Sequence, residues 1–194
     1  MPPEVVQGGE ANRRRERKIF SNIIETQRLA LSELAVRDAP FILQLLNEDG
    51  FLRFIGDKGV RTVADAREYI LKGPMESYRR YGFGLYLTSL RGNGTPVGIC
   101  GLVKRETLPD PDVGFAFLSR HWSNGYAAES AAAVLQYAAN TLRASRIVAI
   151  TALDNHGSMA VLKKIGMRLE RTIRLVPDGP ELNLFGCAPR AAAY

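Results

Sequence analysis

A mixed α/β (α+β) fold, one sheet with helices on its faces, is the class this sequence predicts, and three patterns predict it. β-prone apolar runs cluster in the middle of the chain, a long apolar stripe at helical spacing follows them, and short strand and helix patterns then alternate to the C-terminus. The order is one strand, two helices, three strands, a helix, a strand, a helix and two strands. Each apolar stripe in such an order needs another layer to cover it.

Residues 1 to 22, rich in Gly, Pro, Glu and Arg, have no sustained apolar period and read as a loose extension ahead of a single domain over 23 to 194, folded from near Glu25. Arg28 to Leu34 alternates as a first strand. Asp38, with Pro40 behind it, starts a helix through Phe41, Ile42, Leu45 and Leu46, which Asn47 to Gly50 should end. A second helix opens at Thr62, whose hydroxyl can cap the following turn, and runs to Ile70 before Gly73-Pro74 interrupts it, resuming through Tyr78. Gly84 to Leu90, Pro96 to Val103 and Val113 to Leu118 form an antiparallel meander, the first two joined by the turn Arg91 to Gly94. From Gly125 the stripe Ala127, Ala131, Val134, Leu135, Ala138 and Leu142 marks the long helix. Ile147 to Leu153 is a buried strand. A helix from His156 to Ile165 stops at Gly166, and the strands Arg168 to Leu175 and Glu181 to Cys187 turn at Pro177-Asp178-Gly179.

The length of 194 residues suits one domain with a substantial core. No apolar run is long enough for a membrane helix and no secretory signal is visible, so the expected compartment is the cytoplasm and no membrane partner is expected. Cys100 and Cys187 lie far apart without a C-x-x-C spacing and read as core thiols; His121 and His156 are the only histidines, and no metal site is predicted. The net charge of +6 suits a polyphosphate ligand or an acidic partner. The run Arg13, Arg14, Arg15, Arg17 and Lys18 lacks interleaved aromatics, which reads as a solvated extension and not as a nucleic-acid contact.

The segment Asp112-Val113-Gly114-Phe115-Ala116-Phe117-Leu118-Ser119-Arg120-His121-Trp122-Ser123-Asn124-Gly125-Tyr126-Ala127-Ala128-Glu129 is a strand, a turn of small residues and the start of the long helix. Unpaired N–H groups at a helix N-terminus form an anion site, so the turn can hold a phosphate; the alternative is an ordinary strand-to-helix connection. Gly125 lets a backbone or ligand approach closely, and Ala127 keeps the first helical turn free of bulk.

This segment resembles the acetyl-CoA loop of the GNAT superfamily, [Q/R]-x-x-G-x-[G/A], which falls here on Trp122, Ser123, Asn124, Gly125, Tyr126 and Ala127, with Trp122 in place of Gln or Arg. The W-x-x-G-Y-A form followed by Glu129 is similar to the ribosomal-protein N-acetyltransferase (RimJ/RimL-type) branch. A second stretch, Asp154-Asn155-His156-Gly157-Ser158 through Leu162 to Gly166-Met167, resembles the N-x-x-S-x-x-x-L-x-x-x-G-[FM] segment of that branch, although helix capping by Asn155 could also account for Asn155 and Ser158. The resemblance covers about residues 25 to 187. It implies the GNAT fold, a twisted mixed sheet of about seven strands with about four helices, whose fourth and fifth strands, here Asp112 to Ser119 and Ile147 to Leu153, splay to admit the pantetheine of acetyl-CoA as an extra strand beside the fourth. It also implies an N-acetyltransferase moving acetyl from acetyl-CoA to a primary amine, a protein N-terminus or a small molecule, by direct attack in a ternary complex.

Acetyl transfer to an amine needs a neutral amine, a donor to the oxyanion and a proton for the departing thiolate. By resemblance Asp112, at the start of the fourth strand, is the first choice for the base, with Glu106, Asp178 and Glu181 as rivals. The oxyanion donor is expected among the amides of Phe117 and Leu118, freed by a bulge. Leu162 stands where many family members carry a tyrosine acid, so Ser158 is the expected donor to the thiolate. Phe117, Leu118, Trp122, Ser123, Asn124, Gly125, Tyr126, Ala127, Asn155 and Ser158 are the expected cofactor contacts. Arg53, Phe54 and Phe83 fall in segments that shape the acceptor pocket in this family. The alternative is a non-catalytic CoA-binding or protein-interaction module on the same fold; a homodimer is left open.

Overall fold

The computed structural model describes residues 22–189. The expected extension over 1 to 22, with its Arg13 to Lys18 run, therefore lies outside the described residues but for Asn22. Along the chain come β1 (Ile24–Glu25), β2 (Leu29–Glu33), α1 (Ala39–Leu46), α2 (Asp49–Phe54), α3 (Val63–Ile70), α4 (Glu76–Tyr81), β3 (Leu85–Leu90), β4 (Pro96–Val103), β5 (Asp112–Phe117), α5 (Tyr126–Asn140), β6 (Ile147–Ala152), α6 (His156–Lys164), β7 (Arg168–Arg174) and β8 (Glu181–Cys187). The eight strands form one sheet in the order β1-β2-β3-β4-β5-β6-β8-β7. Every neighbouring pair is antiparallel except β5 with β6.

Three local features depart from the sequence pattern. The first strand is preceded by β1, two residues folded back on β2 through a turn in which Thr26 Oγ1 accepts from Leu29 N–H at 2.9 Å. Asn47 does end α1, yet α2 begins two residues later; Gly50, which looked like a terminator, sits inside α2, and the position takes glycine because a Cβ there would lie 2.5 Å from Cη2 of Trp122. Gly73-Pro74 does not stop the third helix. The chain passes through a wider π turn over Leu71–Met75, which accommodates the missing N–H of Pro74, and continues as α4 to Gly82 at φ +74°.

Other signals act as read. Thr62 Oγ1 accepts from Asp65 N–H at 3.1 Å while the Asp65 carboxylate accepts from Thr62 N–H at 2.8 Å, a reciprocal cap that starts α3. One core layer joins one face of the sheet to α5 and α6 through Leu29, Leu31, Val134, Ala138, Leu162 and Phe185. A second joins the other face to α1, α2 and α3 through Leu87, Ile99, Leu118, Ile42, Phe51 and Ile70. Cys100 is buried in the first layer, and burial pushes its thiol up to about 12. Cys187, expected to be a core thiol as well, is only partly buried at the end of β8.

Candidate functional site

The site is built where the sheet comes apart. β5 and β6 meet at a single residue pair, Asp112 opposite Val148, with Val148 N–H donating to Pro111 O at 3.0 Å. On its other edge β5 pairs with β4 in one uninterrupted register from Val103–Asp112 to Gly98–Phe117, and Leu118 N–H continues it by donating to Val97 O at 3.1 Å. Amides alternate in direction along an antiparallel ladder, so those of Phe115 and Phe117 point away from β4 into the gap towards β6. This corrects two expectations: Leu118 is fully buried with its N–H in the ladder, and no bulge is needed, because the splay itself frees the Phe117 amide. The gap opens into a cleft of about 900 Å³.

At the far end of β5 the chain makes a tight loop into α5. Ser123 at φ +62° and Gly125 at φ +78° are both left-handed, and Gly125 precedes α5 without any side-chain cap, so the first amides of the helix are left without a capping partner among the described residues. A Cβ at Gly125 would approach only the guanidinium of Arg28, at 3.4 Å, which leaves the rest of the loop open to a ligand. Trp122 closes the loop from behind: its Nε1 donates to Phe117 O at 2.8 Å and its ring lies against Gly50. Of the expected cofactor contacts, Phe117, Trp122, Ser123, Gly125, Tyr126, Ala127, Asn155 and Ser158 line the cleft, Asn124 lines the adjoining groove beside Arg28 and Lys164, and Leu118 lines neither. Thr151 Oγ1, buried on the β6 wall, also has no hydrogen-bond partner among the described residues. Outward amides at a left-handed loop, free strand amides and an orphaned hydroxyl suit a ligand with phosphates at one end and an amide-bearing arm behind, which is the make-up of acetyl-CoA.

Asp112 lies at the point where the strands diverge and is 1% exposed. Its Oδ2 accepts from Arg105 Nε at 2.6 Å, while Oδ1 has no hydrogen-bond partner among the described residues. Burial raises its pKa to about 6, against the opposing pull of Arg105 and the nearby Ile150 amide. The cleft wall contains Asp112 and none of Glu106, Asp178 and Glu181; Glu181 pairs instead with Arg174 at 3.0 Å. Across the cleft, Asn155 Oδ1 accepts from Ser158 N–H at 3.0 Å and starts α6. The hydroxyl of Ser158 has no partner among the described residues. Leu162 is buried below it.

Two sets of contacts were not legible in the sequence. Arg28 of the β1–β2 turn holds the loop, with Nε on Glu129 Oε2 at 2.7 Å, Nη1 on Asn124 O at 3.0 Å and its guanidinium 4.8 Å from the Tyr126 ring centre. The segment around α2 forms the opposite wall: Glu48 Oε2 accepts from Ser119 N–H at 3.0 Å, and Arg53 pairs with Asp154 at 3.0 Å. Arg53 and Phe54 do line the cleft, as expected, whereas Phe83 packs against the core on the α5 side and does not line it. Among the described residues no helix is long and apolar enough to cross a membrane, and no cluster of His, Cys, Asp and Glu could hold a metal ion.

Comparison with known proteins gives a consistent result. A family model described as an acetyltransferase (GNAT) domain matches residues 28–168. An uncharacterized protein of Bacillus subtilis (strain 168), YkkB, is 30% identical over 152 residues, covering 77% of this chain and 87% of that protein. The uncharacterized N-acetyltransferase YoaA of the same organism is 26% identical over 154 residues, covering 78% and 86%. In structure, the ribosomal L7/L12 α-N-protein acetyltransferase RimL in complex with coenzyme A superposes with a TM-score of 0.75 at 18% identity, over 87% of this chain and 98% of that one.

Proposed function

Because the chain belongs to the GNAT acetyltransferase family and is an acetyl-CoA-dependent acetyltransferase, we propose that its acceptor is a primary amine, of a protein N-terminus or a small molecule, attacking directly in a ternary complex. The observation that carries this reading is the β5–β6 splay, with the free Phe115 and Phe117 amides running toward the open loop at Ser123 to Gly125. When bound, acetyl-CoA supplies an acyl group activated as a thioester. The chain's own groups meet the remaining needs.

The loop amides and the N-terminus of α5 hold phosphate, and the β5 amides orient the arm behind it. Phe117 N–H is the donor to the developing oxyanion, rigidly held because its neighbours on either side are bonded into β4. Asp112 is the base. Near neutrality it is largely ionised, and its free Oδ1 accepts a proton from an amine seated in the cleft while Arg105 retains Oδ2. An α-amine titrates near 8 and so needs only modest help, whereas a lysine amine, near 10.4, needs far more. Ser158 Oγ, unengaged at the first turn of α6, donates to the thiolate.

Calorimetry with acetyl-CoA and a thiol-release assay across a panel of amines test the reading together. The expectation is saturable acetyl-CoA binding and amine-dependent thiol release, both weakened by Gly125→Glu, which puts bulk and negative charge at the loop. Absence of amine-dependent release with every acceptor in the panel would overturn it.

A further inference from the structure

The charged side chains of the cleft are unevenly matched. Lys164 stands at the phosphate end, since it also lines the groove beside Gly125 and Arg28. Away from that end the wall carries Arg53, Lys58, Arg105, Asp112 and Asp154. Asp154 is taken by Arg53, and Asp112 is held by Arg105. Neither acid is left over for Lys58, which forms no ion pair or hydrogen bond among the described residues.

The geometry of the two cations favours an incoming anion. Arg105 spends only Nε on Asp112, so both terminal nitrogens of its planar fork are without partners among the described residues. Lys58 rides on a loop between Gly56 and Gly59, both at positive φ. Its neighbours cannot neutralise it, because Asp57 accepts from Gly59 N–H at 2.8 Å and is gripped by Arg61 through both carboxylate oxygens. The same cleft wall also carries the apolar side chains of Phe54, Ile55 and Phe115. An amine that enters as a simple cation meets the unopposed charge of Lys58 and, as its one buried carboxylate with an open oxygen in the cleft, Asp112 alone. One that carries its own carboxylate close to the nitrogen meets a guanidinium fork and an ammonium in the same cleft, with Asp112 beside Arg105 for the amine.

We propose that the acceptor is a primary amine whose carrier bears a carboxylate within a few bonds of the nitrogen, with Arg105 and Lys58 holding the carboxylate. This rests on the acetyl-transfer reading above. The same charge balance disfavours polyamines and other multiply cationic acceptors.

The test uses the full chain with acetyl-CoA and acceptors matched in all but charge. Phenylalanine against phenylalaninamide tests an α-carboxylate, peptides beginning with Glu against Gln test a side-chain carboxylate, and spermidine tests a cation. The expected result is a kcat/KM advantage of about tenfold or more for the acid of one matched pair, although the amide's less basic amine favours it intrinsically. That advantage should fall several-fold in Lys58→Gln, vanish or invert in Lys58→Glu, and fall again in Arg105→Gln. Equal or better turnover of the neutral partners and spermidine by the parent protein would overturn the proposal, as would an advantage that survives all three substitutions. If no amine at all is acetylated, the acetyl-transfer reading fails first and this one with it; a lost or inverted charge preference with transfer intact removes only this one.

Discussion

Folding disfavours the charge on Asp112: its carboxyl is 1% exposed and its pKa is raised from 3.8 to about 6, chiefly by desolvation. The protonated form is therefore the one the native state prefers. Its contribution to stability is complete below about pH 4 and is lost as pH rises through about 6, by about 3 kcal/mol for a shift of about two units. Asp112→Asn cannot ionise and escapes that loss. Urea unfolding of the two proteins at pH 4 and pH 7.5 should show the variant gaining on the parent by about this amount at the higher pH; parallel curves would mean that Arg105 compensates the buried charge fully. In turnover the same variant should lose most rate near neutrality and recover as pH approaches the acceptor's own pKa, because the amine then arrives neutral. The sequence exposed the position of Asp112 at the start of a strand but neither its burial nor Arg105, seven residues away across a loop whose path no periodicity sets.

The loop between β5 and α5 was legible because its backbone needs are written in small residues, and Gly125 does take the left-handed conformation. What braces the loop was not. Glu129 lies in the first turn of α5, where it complements the helix dipole. Burial works against its charge, but hydrogen bonds from Thr26 and Arg28 outweigh this and hold its carboxyl below the ordinary value. Arg28, 101 residues away in sequence, then reaches on to Asn124 O and the face of Tyr126, so one side chain ties the β1–β2 turn to the loop and the helix. No local pattern reports a pairing at that separation. Arg28→Ala should weaken acetyl-CoA binding by about tenfold, roughly 1.4 kcal/mol, by letting the loop relax. Because its side chain is 47% exposed, the effect on stability should be smaller, about 1 kcal/mol or less. Arg28→Lys should not rescue binding, since an ammonium cannot engage Glu129 and Asn124 with one planar fork while lying over Tyr126. Calorimetry on the two variants, with thermal melts as the control for folding, decides it; full affinity in Arg28→Lys would reduce the role to one of charge. Segment boundaries failed for a similar reason: Gly50 signals a stop in sequence, whereas in the fold the position takes glycine, inside a helix, because the Trp122 ring is pressed against it.

At the scale of the molecule, the order of elements from β2 onward followed from hydrophobic period, because strands buried on both faces and amphipathic helices carry distinct repeats. The two-residue β1 and the six-residue α2 are too short to carry a period, and both appear only through tertiary contacts. The splay itself is not a matter of period at all; resemblance predicted it, and the structure shows its extent. The halves β1–β5 and β6–β8 share one bridged pair, Asp112–Val148, so the sheet has an unmade ladder at its centre. The amides of Ala116 and Leu118 face β4, whereas those of Phe115 and Phe117 face the gap. A cofactor arm lying along β5 as an extra strand would supply acceptors to the second pair alone. Hydrogen exchange resolved to single amides should therefore show Ala116 and Leu118 already protected in the free protein, and Phe115 and Phe117 gaining protection on addition of coenzyme A. Ligand at a hundred times its Kd adds about 2.7 kcal/mol to global stability, enough to raise Tm by roughly 5–10 °C in a chain of this size. Every amide whose exchange requires global unfolding slows by that common factor, so the diagnostic quantity is the excess at Phe115 and Phe117 over their neighbours. Uniform slowing without that alternation would mean that the arm does not lie in register on β5.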